Sequence, residues 1–420
     1  VSDWSNDSGP SRFMKEGYQE QYTSFVKTIT SKPVVGVGRY TSPESMVSAI
    51  ERGVLDLIGA ARPSIADPFL PQKIKEDRIE DIRECIGCNI CAAADNIYVP
   101  IRCTQNPTMG EEYRRAWHPE RIPEQKSEKT VLVIGGGPAG MECARALGQR
   151  GYQVVLTEAG RELGGRVQRE ADLPGLSEWR RVADWRLTQI EKMGNVEVYP
   201  GSRMSAEDVL ESGIRDVIVA TGAAWRRDGV GRTLRYPVPG WEGANVFSPD
   251  DLMDGKLPTG RVLVYDDDHY YMGSVLAELL AGHGCEVTLV TPGPSIAEWS
   301  QHTLEQPHVI RKLLRLGVPM YTHTHITRIE AGRVLTQSAL ENQPRWQDFD
   351  GVVLVSNRIS NDGLYYELKP ALEDGKLDSL RVIGDAEAPN IIAGAVFSGY
   401  LAAQEFDEVV NRDVPGFRRE

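Results

Sequence analysis

VLVIGGGPAGMECARALGQRGYQVVLTE, residues 131–158, is the stretch whose reading settles the fold. Val131–Ile134 is a short continuous apolar run, the mark of a buried parallel strand. Gly135-x-Gly137-x-x-Gly140 follows at once and opens a helical pattern. Val154–Leu156 is the next strand, and Glu158 closes it, eighteen residues after the last glycine. A lone GxGxxG says little. Here strand, helix, second strand and acid stand where a dinucleotide-binding βαβ unit needs them. Gly135 permits the turn, Gly137 lets a pyrophosphate approach the backbone, and Gly140 permits close helix packing. The helix N-terminus offers amide donors. Glu158 suits ribose hydroxyls, and its charge disfavours a 2′-phosphate. Ala220-Thr221-Gly222 ends a later strand, and Gly384-Asp385 follows another. The plainer alternative is a Rossmann core that has lost its ligand.

The pattern recurs at VLVYDDDHYYMGSVLAELLAGHGCEVTLVT, residues 262–291. This is a degenerate internal repeat, so two Rossmann-type domains in tandem are expected. In the second copy Asp266 and Asp268 replace Gly135 and Gly137, and the turn is about two residues longer. Three carboxylates at a helix N-terminus are expected to satisfy its free amides and to repel a pyrophosphate. No NAD(P)H is therefore expected there. The alternative is a nucleotide whose phosphates sit elsewhere.

Upstream lies Cys85-x2-Cys88-x2-Cys91-x11-Cys103, the most specific signal in the chain. Three tightly spaced thiolates and one later ligand suit an iron–sulfur cubane. Structural zinc more often uses two separated pairs, and a disulfide framework would spread its cysteines. Gly87 fits a loop whose backbone must pass close to sulfide. Asp81 and Glu84 are local acids expected to lower a cluster's potential. The remaining cysteines, Cys143 and Cys285, stand apart.

Before the cysteines, residues 33–62 read as strand, helix, strand. Ser42 and Pro43 start the helix and Gly53 stops it. Gly38-Arg39 follows the first strand, and Gly59-Ala60-Ala61-Arg62-Pro63 the second. The last two loops of a (β/α)₈ barrel commonly bind phosphate, and each of these ends in an arginine. Taken alone, they are equally two surface arginines. Asp7, in SDWSNDSGPSR, is by itself an N-cap or turn carboxylate.

Bulk properties narrow the class. Apolar residues make up 41% and charged residues 25% of 420 residues, with net charge -13. That balance disfavours nucleic acid and anionic membrane surfaces as partners. No apolar run reaches the ~20 residues of a membrane span. With clustered thiols and no export signal in view, a reducing, cytoplasmic setting is expected.

The segments GPSRF, KPVVGVGRYTSPE, ARPSIADPFLPQK, CIGCNIC, CTQNPTMGEEYRRAWHPE, VLVIGGGPAGMECAR, ATGAAW and IGDAEAP resemble one family. The chain is similar to the trimethylamine, dimethylamine and histamine dehydrogenases, iron–sulfur flavoproteins related to 2,4-dienoyl-CoA reductase. The resemblance implies that Cys85, Cys88, Cys91 and Cys103 ligate a [4Fe–4S] cluster. It implies an FMN phosphate site at Gly38, Arg39, Ala61 and Arg62, and an active-site aspartate at Asp7, with Asp3 as a shifted match. The first Rossmann domain would hold ADP through Gly135, Gly137, Gly140, Glu158, Thr221, Gly222 and Asp385, with FAD as the alternative. The activity implied is amine oxidation at a C–H next to nitrogen. Electrons would pass through FMN and the cluster to an electron-transfer flavoprotein or similar carrier. The alternatives are an NADPH-dependent ene reductase with FAD, and a non-catalytic electron-transfer subunit.

The expected class is α/β. Residues 1–78 would be the C-terminal part of an FMN-binding TIM barrel, and 79–125 the cluster segment. Residues 126–245 with 365–412 would form the ADP-type Rossmann domain, 246–364 the degenerate one, and 413–420 a tail. A full barrel takes ~250 residues. A preceding segment or a second polypeptide is therefore expected to complete it, and the assembly to be oligomeric. Segment LSEWRRVADWR, 176–186, carries arginines where relatives of the family are more aromatic.

Overall fold

The computed structural model describes residues 9–112, 117 and 119–408. They fall into two units. The first takes residues up to Gln168, Glu178–Gly222 and Asn361 onward; the second takes Arg169–Ser177 and Ala223–Ser360.

In the first unit, Val35–Gly36 (β1) and Leu57–Ile58 (β2) pair in parallel. Helix α1, Pro43–Glu51, connects them. Ser42 caps it by accepting the Ser45 N–H, and Pro43 fills the first turn, where its missing N–H has no partner to lose. Tyr40, Met46, Ala49, Leu55, Leu70 and Ile82 pack into a small core beneath. The outer side is bare: Val35 is 63% exposed and Leu57 51%. Parallel strands are ordinarily covered on both faces, so this two-stranded piece is an incomplete layer.

Further along, Thr130–Ile134 (β3), Gln153–Thr157 (β4), Val196–Tyr199 (β5) and Asp216–Val219 (β6) join Ser379–Val382 in a five-stranded parallel sheet. The spatial order is 379–382, β6, β3, β4, β5. β3 lies inside it, with every residue from Val131 to Ile134 buried. On one face Leu132, Ile134, Val217 and Val219 pack against Leu368, Ala371 and Leu377. Between β3 and β4 runs helix α2, Pro138–Arg150, which ends on Gly151 in the left-handed region. The closing helix Ile392–Gln404 packs along α2. Its Gly399 lies directly against the Ala139 carbonyl, leaving no room for a Cβ. The helix ends at Gln404.

The second unit has its own five-stranded parallel sheet. Arg261–Asp266 (β7), Glu286–Val290 (β8) and Gly351–Val355 (β9) are flanked by Met320–Tyr321 and Val246–Phe247. Helix α3, Met272–Gly282, follows β7. The match between β3–α2–β4 and β7–α3–β8 confirms the internal repeat as two βαβ units. An antiparallel meander, 324–348, has no counterpart among the described residues of the first unit. Residues 223–245 group with the second unit, not with the first as expected. The reason is local: Ala223–Trp225 pairs antiparallel with Arg358–Ser360.

Among the described residues, no helix is long and apolar enough to cross a membrane.

A valine at Gly399 would drive two methyl groups into the α2 backbone. Gly399→Val is expected to cost ~3 kcal/mol, a fall in melting temperature on the order of 10 °C by calorimetry. An unchanged melting temperature would show that the two helices do not need this approach.

Candidate functional site

Cys85, Cys88, Cys91 and Cys103 line one small cavity, together with Arg62 and Gln105. Cys91 lies in the first turn of the short helix Ile90–Asn96, and Asn89 takes a left-handed conformation just before it. Burial is the main force on the thiols. It pushes Cys91 up to about 12, and it raises Cys88 and Cys103 as well; in each, the neighbouring cysteines add to the rise. Four such groups facing one another cannot hold negative charge without a compensating cation. The surroundings oppose that rise. Backbone amides of Ile90, Ala92, Gln105 and Asn106 donate to sulfurs, and the charges of Arg62 and Arg83 favour thiolate at Cys91 and Cys103. Among the described residues, no three Cys, His, Asp or Glu converge closely enough for a single metal ion. This donor set, with its spread thiols and inward amides, fits a multi-iron cluster. Cys143 is buried inside α2 as packing.

Gly87 stands where the cysteine loop meets Arg39. Its φ is +65°, and a Cβ there would meet the Arg39 guanidinium. Arg39, itself left-handed and buried, pairs with Glu178 and donates to the Met14 carbonyl. Arg62 donates to the Pro10 carbonyl and, at 2.7 Å, to Asn89 Oδ1. Both arginines stand beside the cysteine loop. Gly38 packs against Gly17 and the Tyr40 ring, and Ala61 opens a short helix, Ala61–Ala66. Asp7 lies outside the described residues. The acids expected to bias a cluster are both compensated. Asp81 is held at about 2, against burial, by Lys192, Gln189 and Arg78; Glu84 pairs with Arg181 at 2.9 Å.

The first glycine motif is a cradle in which each position has its own geometry. Gly135 has φ +110° and lies against the Ala220 carbonyl. Gly140 lies against the Gly135 carbonyl. Gly137, the N-cap of α2, faces open space: a Cβ there would meet nothing within 4 Å. Glu158 accepts the Gly136 N–H at 2.7 Å and the Gly160 N–H at 2.6 Å, which fixes the loop rim. Thr221 donates to the Asn361 carbonyl, and Gly222 has φ +75°. Asp385 pairs with Arg166 at 3.2 Å and accepts the Asn390 N–H. Gly384 brings it beside Ala139 at the start of α2. Arg166 was not singled out from sequence. Its only signal was the pair Gly164-Gly165 before it; a Cβ on Gly165 would meet the Gly137 Cα at 3.1 Å.

The second copy has a different set of contacts. Helix α3 starts at Met272, and the side chain of its N-cap, Tyr271, does not cap it. Asp266 Oδ1 instead accepts the N–H groups of Asp268 and His269 within the turn. Asp267 turns to Thr233 and pairs with His269 at 3.2 Å. Gly273, at the place of the third glycine, packs on the Asp266 carboxylate. Burial and the adjacent Asp268 push Asp266 up to about 7.

Residues 129–378 match the family described as pyridine nucleotide-disulphide oxidoreductase, and residues 2–81 match the NADH:flavin oxidoreductase / NADH oxidase family. Over its full length the chain is 41% identical to the dimethylamine dehydrogenase of Hyphomicrobium sp. (strain x), of which it covers 61%. It superposes on histamine dehydrogenase from Rhizobium sp. 4-9 with a TM-score of 0.96 and 49% identity, covering 99% of this chain and 62% of that one. The chain belongs to the pyridine nucleotide-disulphide oxidoreductase family and is similar to the dimethylamine and histamine dehydrogenases. A 6-hydroxypseudooxynicotine amine oxidase from Pseudomonas geniculata N1 is equally similar, at 49% identity and TM-score 0.94, with 97% and 61% of the chains covered. The chain thus spans about three fifths of the length of these relatives.

The Asp266 turn makes a testable pH statement. A carboxyl whose folded-state value is raised binds more protons folded than unfolded, so wild type loses stability as pH rises from about 4 through about 7. Asp266→Asn has no such loss. Its melting temperature relative to wild type is expected to climb between pH 5 and pH 8. A gap that stays constant over that range would remove the strained carboxyl from the account.

Proposed function

We propose that the chain is the cluster- and nucleotide-bearing part of an iron–sulfur flavoprotein amine dehydrogenase. The observation that carries this reading is the cavity lined by four half-buried cysteines, with backbone amides donating to the sulfurs and the charges of Arg62 and Arg83 favouring thiolate. Cys85, Cys88, Cys91 and Cys103 would hold a [4Fe–4S] cluster, which accepts electrons one at a time when bound.

The chain's own residues then have distinct tasks. The loops at Gly38–Arg39 and Ala61–Arg62 follow the two parallel strands and flank the cysteine loop. They would bring an FMN phosphate to the cluster side of the barrel end. The bare outer side of β1 and β2 would receive the remaining barrel strands, from a preceding segment or a second polypeptide. Asp7 would orient or deprotonate the amine.

In the first Rossmann domain Gly137 leaves the pyrophosphate path open, the N-terminus of α2 supplies donors, and Glu158 meets the ribose. ADP is the proposed occupant, with FAD as the alternative that Asp385 would serve through a ribityl chain. The turn at Asp266–His269 would exclude a nicotinamide nucleotide, because it sets carboxylates where a pyrophosphate would lie. A small amine is the proposed substrate. An electron-transfer flavoprotein or similar carrier is the proposed acceptor, and the setting is cytoplasmic.

The test is direct. Protein denatured after purification should release FMN-type flavin and ADP by mass, with about four iron and four acid-labile sulfides per chain. Zinc in place of iron, or NADPH-driven flavin reduction without amine, would overturn the reading. Gly137→Val sharpens it. Its side chain enters open space, so folding should be unaffected, yet bound nucleotide should fall at least tenfold by mass quantification. Full retention of nucleotide by that variant would displace the cradle from this role.

A further inference from the structure

Behind Cys103 lies a buried array of charge that the cluster reading does not by itself require. Arg186 is fully buried. It donates to Glu142 at 2.8 Å and to the Val182 carbonyl at 2.7 Å. Its two terminal nitrogens, one of them shared with Val182, grip Gln105 at the side-chain oxygen (3.1 Å) and at the carbonyl (3.0 Å). Gln105 lines the cysteine cavity, and its N–H donates to the Cys103 sulfur. Arg145 also holds Glu142, at 2.7 Å, and reaches Glu120 at 3.4 Å; Arg83 meets Glu120 at 3.0 Å. All three guanidiniums stand against the Trp185 ring, 4.7 to 5.7 Å from its centre.

Three arginines face two glutamates, so the array carries one excess positive charge. Arg186 is the group that feels the excess. Burial first, and then Arg83 and Arg145 against the pull of Glu142, press it down to about 10, which still leaves it charged at neutral pH. Other nearby charges are paired: Lys73 with Asp67, Arg181 with Glu84, Lys192 with Asp81, and Arg78 with Glu76. Arg62, in the cavity wall, adds a further positive charge.

We propose that Arg186 is a positioning residue that raises the reduction potential of the cluster, through the uncompensated charge it places behind Cys103 and through its clamp on Gln105. This rests on the cluster reading above. One-electron reduction adds one negative charge inside the cage, and a buried cation favours the reduced form. The fork geometry lets one side chain do both tasks, which a lysine would only half reproduce.

The experiment is an EPR-monitored redox titration of the intact protein, in wild type, Arg186→Gln, Arg186→Lys and Glu142→Gln. At the wild-type midpoint, the reduced-to-oxidised ratio of the cluster should fall about tenfold in Arg186→Gln, or ~59 mV for one electron. Arg186→Lys should recover most of that. Glu142→Gln, which removes the opposing charge, should move the ratio upward. A merely structural role would give no shift, or shifts of one sign. Either result, with iron content intact, overturns the proposal and leaves the cluster reading standing. Should Arg186→Gln lose its iron, Glu142→Gln decides alone: an upward shift supports the proposal, and any other result overturns it. Wild-type protein without iron and acid-labile sulfide would overturn both readings.

Discussion

Four thiols share one cavity, and the neighbourhood is arranged around the cost of charging them. Burial and mutual repulsion oppose ionisation at Cys88, Cys91 and Cys103. Inward amides and arginine charge work the other way. This opposition explains features that would otherwise be unrelated. Asn89 is left-handed so that helix Ile90–Asn96 can begin with its amides facing the sulfurs. Arg62 is drawn into the cavity wall and held there by Asn89 and the Pro10 carbonyl. Gln105 is held on both its side chain and its carbonyl.

The same constraint ties the cysteine segment to the sheet behind it. Glu142 lies inside α2, the helix that opens on Gly137, and its carboxylate faces Arg145 and Arg186. One face of α2 therefore serves the nucleotide cradle and another balances the charge behind Cys103. A helix with two such duties has little freedom to shift, which suits its close approach to the closing helix at Gly399.

Much of this was legible in the sequence, because the signals were local. A strand followed at once by spaced glycines leaves few alternatives, and the observed φ of Gly135 and the close contact of Gly140 answer to the expected geometry. Cysteine spacing likewise foretold a shared cavity. Long-range charge was not legible. Nothing in LSEWRRVADWR says which arginine is buried; Arg186 is, while Arg180 and Arg181 stay partly exposed, because only helical phase and the packing of α2 decide it. The acids at 81 and 84 misled for the same reason, since their partners lie about a hundred residues away. The crossover at residue 222, in place of 245, depended on strand pairing between distant segments.

The second glycine-less turn carries a consequence for how such a site changes over time. Asp266 packs on Gly273, Asp267 secures Thr233, and His269 stands in a left-handed conformation between them. Replacing any one by glycine would leave a partner stranded: a void over Gly273, a hydroxyl without its acceptor, or a histidine without its counter-charge. Recovery of an anion-binding turn there would need several coordinated replacements, each harmful alone. The turn is in that sense held in its present form by its own contacts.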